Sequence, residues 1–74
     1  MFYSLKIVRN NKTLNRYGTH SKRIFLKKIR TINWQDHELR VYLRVNYRKG
    51  FHNEGDYDNE EDLWFAFKVF TEKN

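Results

Sequence analysis

The residues best suited to chemistry in this chain lie between Glu38 and Arg48. Arg40, Tyr42, Arg44, Asn46 and Arg48 alternate there with Leu39, Val41, Leu43, Val45 and Tyr47. Unbroken alternation is the pattern of a half-buried strand, because successive side chains point to opposite faces. One face therefore gathers three guanidinium groups and a phenol ring. Guanidinium groups neutralise phosphates and aromatic faces stack on bases, so such a surface suits single-stranded nucleic acid, RNA or DNA. Lys6, Asn15 and Tyr17 are expected to join it from neighbouring strands. The same mixture is also ordinary for a solvated sheet face, and Glu54 and Asp56, expected on the next strand, would cancel part of the charge.

A second basic group, Lys22, Arg23, Lys27, Lys28 and Arg30, falls within nine residues. Arg23, Lys27 and Arg30 recur at i, i+4 and i+7, which makes one stripe of a helix. A basic helix can enter a major groove or follow a phosphate backbone, although none of the recognition-helix motifs is present. Its apolar face is needed for the core, so membrane binding is not expected. Three further residues, Ile24, Phe65 and Val69, fall off the expected core faces and are suited to a protein partner or to self-association through the second helix.

Catalytic signals are weaker. His20, His37 and His52 are the histidines, and without cysteine there is no thiol nucleophile. A small ribonuclease would need a general base, a general acid and a phosphate-binding cation in one place. The spacing assigns no residue to those roles. The acidic run from Asp56 to Asp62 lacks the central glycine and the position-twelve glutamate of a calcium loop, and helix capping explains it better. No metal or cofactor site is expected.

These groups must be positioned by one small domain covering 1–74. A chain of this size buries only about 60% of the surface it exposes when unfolded, so its core must be dense in large side chains. Six Phe, five Tyr and two Trp meet that need. No apolar run approaches the roughly 18–20 residues of a membrane span, and Met1 opens into Phe2-Tyr3-Ser4-Leu5 without a signal-peptide pattern. A soluble cytoplasmic protein is expected. Net charge is +6 and unevenly placed: 13 Lys/Arg against two acids in residues 1–49, and two Lys against seven acids in residues 50–74. The asymmetry fits either an anionic partner or two halves of one fold attracting each other.

Apolar positions recur between the halves, Leu5, Ile7, Phe25, Leu26, Ile29 and Ile32 matching Leu43, Val45, Leu63, Trp64, Phe67 and Phe70. The spacing predicts a duplicated ββα unit, with pseudo-repeats at about 1–36 and 39–74. A strand over Phe2–Arg9 turns at Asn10-Asn11 into a short strand over Lys12–Tyr17, placing Leu14 beside Ile7 and Asn15 beside Lys6. Ser21 caps a helix over Lys22–Ile32. The alternating third strand and a loop with Gly50 in the left-handed position set Glu54 against Arg44 and Tyr57 against Val41. Asp58 to Glu61 has capping-box spacing, and a helix follows over about 60–72, with Leu63 to Lys73 its apolar run. The fold class is α+β, ββαββα, a four-stranded antiparallel sheet of order 2-1-3-4 with both helices on one face. The expected function is a binding module favouring nucleic acid; a protein-binding inhibitor or accessory module is the alternative, and a small ribonuclease the third reading.

Overall fold

Two asparagines start the fold. Asn10 and Asn11 take φ of 50° and 64°, a conformation that matches the right-handed twist of a hairpin and that Asn tolerates better than most residues. The computed structural model describes residues 1–72, and this turn joins β1 (Phe2–Arg9) to β2 (Lys12–Thr19). α1 follows (Lys22–Arg30), then β3 (Leu39–Asn46), a 3₁₀ turn (Arg48–Gly50), β4 (His52–Tyr57) and α2 (Glu60–Glu72). Lys73, the last residue of the expected apolar run, lies outside the described residues. The strands form one antiparallel sheet of order β2-β1-β3-β4, as the sequence leads one to expect. Among the described residues, no helix is long and apolar enough to cross a membrane.

The first hairpin departs from its expected register. Arg9 pairs with Lys12 and Val8 with Thr13, but Ile7 then pairs with Asn15 and Lys6 with Arg16. Leu14 is the extra residue of a β-bulge, and it is 58% exposed rather than packed beside Ile7. A bulge reverses which residues face the core beyond it. Asn15 and Tyr17 therefore turn to the helix side and Arg16 takes the open face. β2 also runs two residues further than expected, through Gly18, where the Phe2 ring lies so close that a Cβ would stand 2.5 Å from its Cζ.

Ser21 caps α1, its Oγ accepting from the Ile24 amide at 3.3 Å. The helix stops at Arg30, short of the expected Ile32. Its last carbonyls are taken by side chains: the Thr31 hydroxyl donates to the Lys28 carbonyl and the Trp34 indole N–H to that of Ile29. The cap of α2 is Asn59, the position that the repeat offset sets against Ser21, one residue later than the capping-box reading placed it. Asn59, not Asp58, accepts from the Asp62 amide at 2.9 Å, and its own amide donates to the Asp62 carboxylate at 2.7 Å.

Both helices bury one stripe against the same sheet face. Phe25 and Ile29 of α1 and Leu63 and Phe67 of α2 meet Tyr3, Leu5, Val41, Leu43 and Val45, all buried. Phe25 and Phe67 stack at 5.5 Å between centroids, and Tyr3 lies 5.3 Å and 5.8 Å from them. Each buried Phe contributes about 1.5–3 kcal/mol from burial alone. Phe70, the last of the recurring apolar positions, is only half-buried, with Tyr47 reaching its carbonyl through a hydroxyl hydrogen bond. The second hairpin keeps its expected register, Val41 with Tyr57 and Arg44 with Glu54, and Gly50 has φ of 79°.

Candidate nucleic-acid interface

The sheet topology separates the two basic groups. Lys6, Arg40, Tyr42 and Arg44 share the open sheet face, with Arg16 added by the bulge. Arg48 lies beyond the strands, exposed in the 3₁₀ turn. Arg23, Lys27 and Arg30 stand on the far side of the sheet, on the outward, exposed stripe of α1. They cannot contact a ligand lying flat on the open face.

Across the open face one row of paired residues runs Arg16, Lys6, Tyr42, Asp56, from the β2 edge to the β4 edge. Lys6 Nζ sits 4.6 Å from the centroid of the Tyr42 ring, a cation–π interaction that holds both side chains. On the β4 side the arginines are already engaged. Arg40 grips Asp56 with Nε at 3.0 Å and Nη2 at 2.9 Å, and approaches Asp58 at 3.7 Å. Its pKa is raised by the hydrogen bond to Asp56, then by the charges of Asp56 and Asp58. Arg44 lies 3.6 Å from Glu54 and donates to Nε2 of His52 at 3.2 Å. Such exposed pairs contribute little to stability, because water and salt screen them. Their larger effect is on the field, because they bring the β3–β4 half of this face close to neutrality.

The β2–α1 end has no such compensation. Residues 1–35 hold nine Lys/Arg and no Asp/Glu. Of these, Arg9 alone has a carboxylate partner among the described residues, with Asp36 and Glu38 each at 2.9 Å. The Asp36 carboxyl is held below its usual range by the Glu38 amide first and by the Arg9 guanidinium second. The other cations of this unit include seven on β2 and α1: Lys12, Arg16, Lys22, Arg23, Lys27, Lys28 and Arg30. Lys28 binds α1 to β2 through the face of Tyr17, 4.3 Å from its centroid, and Lys22 lies 5.9 Å from that of Phe67. The sequence asymmetry thus becomes spatial. α1 covers β1 and β2, whereas α2 covers β3 and β4 with Glu60, Glu61 and Asp62 in its first turn.

Of the apolar residues set aside for a protein interface, Phe65 and Val69 lie one turn apart on α2 and Ile24 lies on α1, all three exposed. Ile24 is 48% exposed on the α1 flank that also carries Lys28 and Thr31 toward Asn15 and Tyr17 of β2. Val69, 39% exposed, shares the stripe of Asp62, whose charge acts on the Tyr57 hydroxyl of β4. Phe65 points outward, 70% exposed. The histidines are apart. His20 donates from Nδ1 to the Met1 carbonyl and meets the Phe2 ring edge-on, while His52 is held by Arg44 on β4.

Arg16 and Lys12 are not among the binding residues expected from the sequence. Nothing in the sequence announces the bulge that brings Arg16 to the open face, but the absence of any carboxylate before Asp36 is a signal that could have found both. Comparison with known proteins finds no family model, no curated protein and no solved structure that matches the chain.

Proposed function

We propose that this protein binds nucleic acid through its β2–α1 end, by neutralising phosphates. The observation that carries the reading is the set of seven cations on β2 and α1 with no carboxylate partner among the described residues. Like charges gathered on one end repel one another and stabilise nothing by themselves, whereas a polyanion relieves that repulsion and releases its own counterions on binding. The stripe Arg23, Lys27, Arg30 engages the phosphate backbone. Lys6, Arg16 and Tyr42 offer a second, smaller platform on the open face, where a base can stack. Arg40 and Arg44 contribute little, because Asp56 and Glu54 already neutralise them. Phosphates carry no sequence information, so binding is expected to be largely sequence-independent.

The test is binding to labelled single- and double-stranded oligonucleotides over a salt series. Removing one cation that neutralises a phosphate should reduce the log–log salt slope by about 0.7 on single strands and 0.9 on duplex. Arg23→Ala/Lys27→Ala/Arg30→Ala should lower both affinity and slope, the slope by up to three times that amount. Arg40→Ala/Arg44→Ala should leave the slope nearly unchanged, and Tyr42→Ala should weaken single-strand binding at constant slope. A folded protein that binds none of these at low salt ends the proposal.

A further inference from the structure

The two sheet edges are unpaired among the described residues and belong to ends of opposite charge. β2 presents Lys12 and Arg16 with no carboxylate. β4 presents Glu54 and Asp56, which Arg44 and Arg40 already hold. The acidity of that end comes from Glu60, Glu61 and Asp62 of α2, which lies over β3 and β4. Edge strands are usually protected by charges that repel any incoming edge. Here the β2–α1 end repels a copy of itself and attracts the β4–α2 end, where acids outnumber cations even with Arg40 and Arg44 counted.

We infer that a second copy of this chain docks head to tail, its β4 edge against the β2 edge of the first. Four features of the fold agree on this geometry. All three strand pairs are antiparallel, so the direction alternates across the sheet, and a second copy in the same orientation meets β2 with an antiparallel β4. That orientation keeps the helices of both copies on one face. It also brings the β2-side flank of α1, with Ile24 and Lys28, beside the β4-side flank of α2, with Val69 and Asp62. An exposed apolar pair and a charge pair are thus matched across the same seam. The symmetric alternatives, the β2–α1 end on itself or the β4–α2 end on itself, oppose like charges and are disfavoured. A heterologous interface of this kind does not close on two copies; it grows into an open array.

Mass is the readout, by sedimentation or light scattering on protein freed of nucleic acid. Wild type should gain mass with concentration at low salt, beyond two copies, and return to the monomer at high salt. Lys12→Glu/Arg16→Glu turns the β2 edge acidic like the β4–α2 end, and Glu54→Lys/Asp56→Lys turns the β4 edge basic and frees Arg40 and Arg44, so each should be monomeric alone. An equimolar mixture should regain growth by alternating the two. Circular dichroism establishes that each variant is folded, with Arg16→Glu and Glu54→Lys as the milder pair where a double variant is not. A wild type that stays monomeric at low salt, a dimer that stops at two copies, or a mixture no larger than its parts overturns the inference.

Discussion

Two phenylalanines two residues apart on α2 provide the sharpest test of the packing. Phe67 is 3% exposed and meets three other aromatic rings, Phe25, Tyr3 and Trp64, at centroid distances of 5.5, 5.8 and 6.3 Å. Phe65 is 70% exposed. Phe67→Ala removes a buried ring and leaves a cavity bounded by both helices and β1, at a cost of about 3–5 kcal/mol. A domain of this length has a total stability of about 4–11 kcal/mol, so this one change removes a large share of it. At about 4–8 °C per kcal/mol for a domain of this size, the thermal midpoint should fall by at least about 12 °C. Phe65→Ala should move stability by no more than about 0.5 kcal/mol. Urea unfolding followed by circular dichroism measures both on the same scale, with the m-value showing that the transition keeps its two-state form. A loss below about 1 kcal/mol for Phe67→Ala would mean that α2 is not seated on Tyr3 and Phe25. Equal losses for the two variants would mean that the face of α2 turned to the sheet is misassigned.

The same measurement separates the helix caps: Ser21→Ala and Asn59→Ala should each cost about 1 kcal/mol, while Asp58→Ala should cost far less. Acid should act through Asp36, whose folded pKa is lowered; its stabilising contribution is complete above the unfolded value of about 3.9 and disappears as pH falls through the lower folded value. A carboxyl NMR titration should place the Asp36 midpoint below that reference, and Arg9→Ala should move it upward.

Much of this architecture is legible because local signals agree. Leu39 to Asn46 alternates without a fault, Asn10-Asn11 fits its turn, and Ser21 stands where a helix must begin. The offset that superposes Leu5 on Leu43 also picks out two residues that face one another at the centre of the β1–β3 ladder. The errors are where two local solutions compete. Leu14 satisfies an alternating pattern equally well as a paired or a bulged residue, and only the tertiary fit decides. Asp58 and Asn59 are both good caps, and the choice depends on which side chain reaches Asp62. Of the candidate site, part of the pairing is readable too. The expected register sets Glu54 against Arg44 with Asp56 on the same strand, and the structure pairs Arg44 with Glu54 and Arg40 with Asp56. Arg16 is not readable, because only the bulge brings it to the open face.

The β1–β3 ladder has a kinetic meaning of its own. The other two ladders are hairpins that close over short turns, and events of that kind take on the order of microseconds. β1 and β3 instead join residues from 30 apart, Arg9 with Leu39, to 44 apart, Phe2 with Asn46. This is where the loop-closure entropy of folding is concentrated. The two sides of that loop are not neutral strangers while unfolded. Residues 1–35 have nine positive charges and no negative ones, and residues 36–74 have nine carboxylates against six cations. The chain is thus a polyampholyte whose halves attract before any strand has formed. Salt should therefore slow the meeting of the halves while leaving hairpin formation nearly unaffected.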